Sequence, residues 1–221
     1  MKILALTCCV MDIFPQTNKR FIGGNSVNFA VQCRRSGVKN VAVLGAVGED
    51  AAGNEIISRL QQEKIDTSHL HTCAGFTATH AIMISEAGER LFFPENWQPG
   101  VYATFRLGEE DWEFAETFDI LAGVANDPNF PEIVRRKKSH QKLVADFLNV
   151  PDSSLIRPYL DRVDVAFASG TPELAAELQP VSAQTETMIV ITLGAGSITR
   201  TGPELLQRLS DAADTEPGTG H

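Results

Sequence analysis

Short apolar segments alternate with amphipathic helical segments through most of this 221-residue chain. Strands are predicted at Ile3–Val10, Val41–Val47, Ile120–Val124, Leu143–Phe147, Val163–Ala168 and Met188–Leu193. Helices are predicted between them at Ser26–Ser36, Ala51–Glu63, Glu109–Thr117, Phe130–Lys138, Ser154–Asp161 and Pro172–Gln179. Strands that are apolar on both faces are typical of a parallel sheet covered by helices on both sides. The alternation therefore predicts an α/β fold with a mostly parallel central sheet.

Two segments interrupt this alternation. Residues 12–22 have no helical period and lead into Gly23-Gly24, and residues 76–93 contain two alternating strands around the turn Glu86–Glu89. We interpret both as antiparallel pieces of a small sheet beside the main sheet. Residues 1–221 are otherwise predicted to form a single domain. The tail 211–221, with its Pro and Gly residues, is expected to be frayed.

Composition excludes several classes of protein. The chain is 43% apolar and 21% charged, which is typical of a globular domain and not of a disordered one. A net charge of −9 disfavours binding to nucleic acid or to an anionic membrane, because both depend on a basic field. No apolar run approaches the ~20 residues of a membrane span. Asp12 argues against a signal peptide, so the first apolar segment is interpreted as a strand.

Cysteine and histidine spacing gives no metal site. None of the four cysteines is in a C-x-x-C pair, so neither a disulfide framework nor a zinc site is expected, and a reducing cytoplasm is the expected compartment. His69 and His71 alternate on one face of an apparent strand. Two histidines without a third ligand are usually solvated, and no metal is predicted there.

The local signal at Gly23–Asn28 opens a predicted helix. Two glycines let the backbone come close to a ligand, and Asn25 and Ser26 can cap the helix. Asn28 would then point from the first turn toward whatever lies at the helix N-terminus. A plain glycine-rich turn with a good cap is the alternative, and spacing alone does not separate the two.

A second glycine-rich segment, Gly45–Gly53, lies between a strand and a helix. After Gly45 and Gly48 its spacing fails the G-x-G-x-x-G fingerprint of dinucleotide-binding proteins, which disfavours a Rossmann-type oxidoreductase. A structural turn capped by Asp50 is the favoured interpretation.

A third signal, Thr192–Ser197, stands at the end of a predicted strand. Ligands of open parallel sheets collect at the carboxyl ends of strands. Asp12 and Asp146 also fall at or just beyond strand ends, where an acid can bind hydroxyls or a metal but more often caps a turn.

These signals together resemble the ribokinase-like (PfkB) sugar kinases. The residues that carry the resemblance are Gly23–Asn28, Gly37, the pattern Gly45-x-x-Gly48-x-Asp50-x-x-Gly53, and Thr192-Leu193-Gly194, which is similar to the nucleotide-side strand end. Within the family, residues 12–25 and 164–169 are most similar to kinases of fructoselysine, a sugar–amine adduct. The resemblance extends over residues 1 to about 200.

The resemblance implies a three-layer α/β domain with a small β-sheet lid over the sugar. It implies ATP-dependent phosphorylation of a sugar hydroxyl with Mg²⁺, a small-molecule sugar as partner, and a homodimer formed through the lid. Its sugar-side positions are Asp12, Gly23, Gly24, Asn25 and Asn28. Its nucleotide-side positions are Thr192, Gly194 and Gly196.

The chain departs from the family pattern at its end. The family's G-A-G-D motif supplies an anion hole at a helix N-terminus and an Asp as general base. Here residues 214–221 hold only an approximate counterpart, and His221 stands where the Asp would be. No catalytic residue is assigned, and the expectation is a C-terminally truncated or degraded kinase with impaired activity. The alternative is a non-catalytic, sugar-binding remnant.

Overall fold

The computed structural model describes residues 1–86, 88 and 90–192. The helices within this range are α1 (Asn25–Arg35), α2 (Ala51–Gln62), α3 (Glu109–Glu116), α4 (Phe130–Arg136) and α5 (Pro172–Ser182). The strands are β1 (Lys2–Thr7), β2 (Val10–Phe14), β3 (Lys19–Gly23), β4 (Asn40–Gly48), β5 (Leu70–Cys73), β6 (Thr79–Ala81), β7 (Met83–Ile84), β8 (Arg90–Leu91), β9 (Trp97–Gln98), β10 (Ile120–Val124), β11 (Lys142–Asn149), β12 (Val165–Ser169) and β13 (Met188–Thr192).

Within the described residues the main sheet has seven strands in the order β13-β12-β11-β10-β1-β4-β5, and every neighbouring pair is parallel. One face packs against α3, α4 and α5, with Trp112 and Phe130 in that core. The other face packs against α1 and α2 through Val27 and Ile56. The prediction of a mostly parallel sheet between two helical layers is confirmed.

A second, four-stranded sheet has the order β3-β2-β6-β9, and we call it the lid. The β2–β3 and β7–β8 pairs are antiparallel, as predicted for these two segments. The β2–β6 pair is parallel and β7–β8 forms a separate two-stranded sheet, so the expectation of one antiparallel sheet was wrong in these two respects. The predicted strand Ile3–Val10 was also wrong in its bounds. Thr7 has φ 72°, and the chain turns at Cys8-Cys9 to leave the main sheet and enter the lid.

The helix predicted at Ser154–Asp161 does not form. Two short 3-10 turns, Ser153–Leu155 and Arg157–Tyr159, stand in its place. Pro158 lacks a backbone N–H and constrains the residue before it, which prevents a continuous α-helix here. No helix in the described part of the chain is long and apolar enough to cross a membrane.

Asp50 connects the main sheet to the lid. Its carboxylate caps α2 by accepting from the Gly53 N–H at 2.8 Å. The same carboxylate accepts from the Thr77 backbone N–H at 2.8 Å and from its hydroxyl at 2.6 Å. Thr77 Oγ1 in turn accepts from the Gly48 N–H at 3.0 Å. The predicted capping role of Asp50 is confirmed, and the entry to β6 is fixed by the same side chain.

Gly48 and Gly53 are required because other backbone atoms lie too close to leave room for a side chain. A Cβ on Gly48 would lie 2.4 Å from the backbone of Phe76, and one on Gly53 would lie 2.3 Å from the Gly48 carbonyl oxygen. Both contacts are with backbone atoms, which cannot rotate away. The spacing of this segment therefore serves the packing of α2 and the lid.

Replacement of Asp50 by Ala should lower the free energy of unfolding by roughly 2 kcal/mol, because it removes a helix cap and the anchor of Thr77. Burial alone would raise the pKa of Asp50, but the bonds from Thr77 and Gly53 outweigh it and hold that pKa below its usual value. The ionised form is thus the stabilising one. Its contribution is present above the pKa of the unfolded chain and is lost as pH falls through the lowered pKa.

Urea unfolding of the wild type, Asp50→Ala and Asp66→Ala would check this. Among the described residues, the Asp66 side chain accepts only the exposed Ser68 N–H, at 2.8 Å, so its replacement should cost less. Equal losses in the two variants, or a loss for Asp50→Ala that does not shrink at acid pH, would contradict the proposed anchor.

Candidate functional site

The N-terminus of α1 is fixed against the end of β1. Gly24, which precedes the helix, has φ 87° and ψ 144°, a conformation essentially restricted to glycine. A Cβ at this position would lie 2.3 Å from the Cys8 carbonyl oxygen. Ser26 Oγ donates to the Leu6 carbonyl and accepts from the Cys8 N–H at 3.1 Å. The first turn of α1 is thereby held at the carboxyl end of β1.

Asp12 projects from lid strand β2, not from the end of a main-sheet strand as the sequence suggested. A Cβ on Gly23 would lie 2.4 Å from Asp12 Oδ2, so Gly23 leaves the space that this carboxylate occupies. Burial raises the pKa of Asp12, and the charges of His80 and Arg90 act in the opposite direction. Asp12 is a half-buried carboxylate whose ionisable neighbours are His80 of lid strand β6 and Arg90 of β8.

Asn25 is oriented by a carboxylate of the main sheet. Its Nδ2 donates to Asp146 Oδ2, and Asp146 Oδ1 accepts from the Leu148 N–H at 2.8 Å. Asp146 lies within β11, three residues before that strand ends at Asn149, so the predicted position at a strand end was wrong; it is the last β11 residue paired with β10. Its role in the structure is to position the Asn25 amide.

A cavity of about 930 Å³ lies between the lid and the carboxyl ends of the main strands. Four of the five predicted sugar-side residues line it, namely Asp12, Gly24, Asn25 and Asn28. The fifth, Gly23, lies directly against Asp12. Polar and aromatic side chains to which the sequence assigned no binding role also line it: His80, Arg90, Phe92, Trp97, Tyr102, Asn126, Asn149 and Ser169.

His80 contributes to the cavity wall a buried polar atom that lacks a hydrogen-bond partner in the described part of the chain. Its Nε2 is buried and has no hydrogen-bond partner among the described residues. The ring lies 5.2 Å from Phe92 and 5.7 Å from Trp97, centroid to centroid. A buried ring nitrogen without a partner is unfavourable unless a ligand or water supplies one.

The nucleotide-side prediction falls partly within the described structure. Thr192 ends β13, and its Oγ1 lies 3.1 Å from the hydroxyl oxygen of Ser169 at the end of β12. Asn149 ends β11. These three side chains give the carboxyl edge of β11–β13 a polar surface. Gly194, Gly196 and His221 lie outside the described residues.

Comparison with solved structures defines the fold class. The chain matches Arabidopsis thaliana ribokinase complexed with ribose and ATP at a TM-score of 0.67 and 14% identity, covering 88% of this chain and 72% of that one. It matches a Pyrococcus horikoshii sugar kinase in complex with ATP at a TM-score of 0.61 and 19% identity, covering 87% and 71%. The fold is that of the ribokinase-like sugar kinases.

Sequence comparison then gives the family. The model of the pfkB family of carbohydrate kinases matches residues 11–198. Fructoselysine 6-kinase of Escherichia coli is 35% identical over 205 residues, which cover 89% of this chain and 75% of the relative. The chain belongs to the pfkB carbohydrate kinase family, as the resemblance in the sequence had indicated.

Replacement of Gly24 by Ala should destabilise the protein by more than the equivalent change at Gly37. Both glycines have positive φ, but a Cβ on Gly37 meets nothing within 4 Å, whereas one on Gly24 meets the Cys8 carbonyl. Gly37→Ala should therefore cost about 1–3 kcal/mol from backbone strain alone. Gly24→Ala adds a backbone clash and should also displace Asn25 and Asn28.

Thermal unfolding and the near-ultraviolet circular dichroism of the two variants would measure this difference. Equal melting temperatures for Gly24→Ala and Gly37→Ala would show that the contact between Gly24 and Cys8 does not constrain α1.

Proposed function

We propose that this protein is an ATP-dependent carbohydrate kinase that phosphorylates a hydroxyl of a sugar or of a sugar–amine adduct such as fructoselysine. The observation that carries the proposal is the convergence of Asp12, Asn25 and Asn28 on one cavity between lid and sheet. Membership of a carbohydrate kinase family supports the reaction class. The assignment of individual residues to the sugar is our own.

The three polar side chains suit a polyhydroxylated ligand. A carboxylate accepts hydrogen bonds and an amide both donates and accepts, while each sugar hydroxyl can do either. Asp12 supplies the charged acceptor from the lid, and Asn25 and Asn28 supply amides from the first turn of α1. Because Asp146 holds the Asn25 amide in place, its orientation is set before a ligand arrives.

A sugar–amine adduct is favoured over a simple sugar by two features of the cavity. Its volume of about 930 Å³ is near the upper end of the range for small-molecule sites. Arg90 and the rings of Phe92 and Trp97 line its lid side. Aromatic faces can attract an ammonium group, and a guanidinium can pair with a carboxylate, so both ends of an amino-acid adduct would find partners. Similarity to fructoselysine 6-kinase points in the same direction.

We place the nucleotide at the carboxyl edge of β11–β13. Asn149, Ser169 and Thr192 offer donors suited to phosphate oxygens there, and Gly194 and Gly196 follow on the same segment of the chain. Bound ATP would supply the transferred phosphoryl group. Mg²⁺ is proposed to enter with the nucleotide, since this cation is commonly held by phosphates and its own waters with few protein ligands. Phosphoryl transfer is achieved largely by positioning and charge neutralisation.

Two further proposals concern assembly and compartment. A homodimer through the lid is supported by the exposed aromatic side chains of Phe21 and Phe92. A cytoplasmic location is supported by the free state of all four cysteines. Partners such as nucleic acid or membrane remain disfavoured by the net charge of −9.

Replacement of Asp12 by Asn should weaken sugar binding by about 1–2 kcal/mol, a factor of roughly 5–30, because a charge-assisted hydrogen bond becomes a neutral one. The raised pKa of Asp12 adds a pH signature. As pH decreases, the Asp12 carboxylate should become protonated at a pH above 3.8, the ordinary aspartate pKa. The sugar affinity of the wild type should fall in that pH range. The variant should lack that fall.

Calorimetric titration with fructoselysine at several pH values would test this, with Asp161→Asn as an exposed carboxylate control. Unchanged affinity in Asp12→Asn would remove Asp12 from the sugar site.

Kinase activity should appear as ADP release that depends on fructoselysine, at a turnover below ~1 s⁻¹, the low end of ordinary enzyme rates. A slow rate is proposed because no G-A-G-D sequence occurs in the chain and a general base contributes about 10²–10⁴ in rate. Asn28→Ala should abolish the release. Gln32→Ala, an exposed change on the same helix, should not.

A coupled assay with fructoselysine, fructose and ribose as acceptors would measure these rates, alongside deletion of residues 214–221. Sugar binding without ATP binding or ADP release would support the non-catalytic remnant instead. Turnover above ~1 s⁻¹ that survives the deletion would show that the base lies outside residues 214–221.

A further inference from the structure

We propose that His69, His71 and Asp111 form a binding site for Zn²⁺ that joins the edge strand β5 to helix α3. One ligand atom of each residue lies within 4.8 Å of the others. None of the three lines the cavity described above. The site is on the sheet edge opposite β13 and has no part in the proposed kinase reaction.

His69 lies in the turn immediately before β5, and His71 is the second residue of that strand. Both rings reach Asp111 of α3, whose side chain is only 7% exposed. Sequence analysis found two histidines and no third ligand, and the structure supplies the third from a helix about forty residues away.

Both rings converge on a single carboxylate oxygen. His69 Nδ1 lies 2.9 Å from Asp111 Oδ1, and His71 Nε2 lies 2.7 Å from the same atom. Zinc bonds to nitrogen and oxygen are about 2.0–2.2 Å long, which places neighbouring ligands of a tetrahedral site about 3.3 Å apart. The carboxylate oxygen would have to move away from each ring nitrogen by roughly 0.4–0.6 Å, and the two ring nitrogens, which lie within 4.8 Å of each other, would also have to reach that spacing.

Each ligand is already held in orientation by a neighbour. Asp111 Oδ2 accepts from the Gly108 N–H at 3.0 Å, which leaves Oδ1 free to face the rings. His69 stacks on Phe114 with a centroid distance of 3.9 Å and an interplanar angle of 12°. The ring of His71 lies 5.4 Å from Phe105. Such surrounding contacts fix ring orientation and exclude water around bound metals.

The chemistry of the donor set selects a borderline divalent cation. Two imidazole nitrogens and one carboxylate oxygen suit zinc and its first-row neighbours better than Ca²⁺ or Mg²⁺, which prefer oxygen ligands. The His71 side chain is 42% exposed, so a water can complete the coordination and the ion has a path of entry.

Zinc binding would require a lone pair on each ring nitrogen that faces Asp111. In the metal-free cluster His69 Nδ1 and His71 Nε2 lie within hydrogen-bond distance of Asp111 Oδ1. In the metal-bound cluster these nitrogens would coordinate the ion and the proton of each ring would reside on its other nitrogen, any displaced proton passing to water. The carboxylate balances one of the two positive charges of the ion.

The test uses the full chain without a polyhistidine tag, depleted of metal by chelation. Titration with Zn²⁺ should give one bound ion per chain and a higher melting temperature. Titration with Co²⁺ should give the visible absorption of a low-symmetry, four-coordinate ion. His69→Ala and His71→Ala should each weaken Zn²⁺ binding by at least about tenfold and remove the Co²⁺ spectrum.

Two controls separate this site from adventitious binding. Cys73→Ala removes a thiol two residues beyond His71, and His140→Ala removes an exposed histidine of another surface. Both should bind zinc as the wild type does. Asp111→Asn tests the third ligand. If this change unfolds α3 by weakening the bond from the Gly108 N–H, the histidine variants still test the site.

The proposal is overturned if the stoichiometry is below one, or if both histidine variants bind Zn²⁺ with wild-type affinity. It is also overturned if binding is lost in Cys73→Ala but kept in His71→Ala, since the ion would then occupy a thiolate site.

Discussion

The contact between Gly24 and the Cys8 carbonyl is the constraint on which the site depends. After β1 the chain leaves the main sheet at Cys8-Cys9 and continues as lid strand β2. It returns from the lid through β3 and enters α1 after Gly24. Both chain crossings therefore meet at one point, where Ser26 bridges the Leu6 carbonyl and the Cys8 N–H. A larger residue at position 24 would separate lid, sheet and helix together. Asp12 and Asn28 face one cavity because their elements are joined at this contact.

The second half of the lid has its own attachment, through Asp50 and Thr77. Since Asp50 also caps α2, the position of β6 is coupled to the start of the helix that follows β4. The glycines at 48 and 53 permit that approach. The family signature at residues 45–53 is thus a structural requirement of the lid, and none of its residues lines the cavity.

Most strands of the main sheet could be predicted from the sequence, because strands such as β4 and β10 are buried on both faces and form unbroken apolar runs. The boundary between β1 and β2 could not be predicted, because the chain stays buried where it passes from the main sheet into the lid. Residues on both sides of Cys8-Cys9 are buried, so hydrophobicity alone gives no sign of the turn at Thr7. The glycine–asparagine segment of the site was predictable because close backbone approach demands glycine. His80 and Trp97 were not, since their place in the cavity follows from strand pairing within the lid.

The parallel pairing of β2 with β6 has a consequence for the order of folding. Met11 pairs with Thr79, and β4, α2 and β5 all lie between them in the chain. Closing so long a loop carries an entropic cost, which is smaller once β4 and β5 are already paired within the main sheet. The lid is therefore expected to assemble after the main sheet and to open before it, as a local unit of lower stability. Such an order lets the cavity exchange its contents through fluctuations that leave the seven-stranded sheet intact.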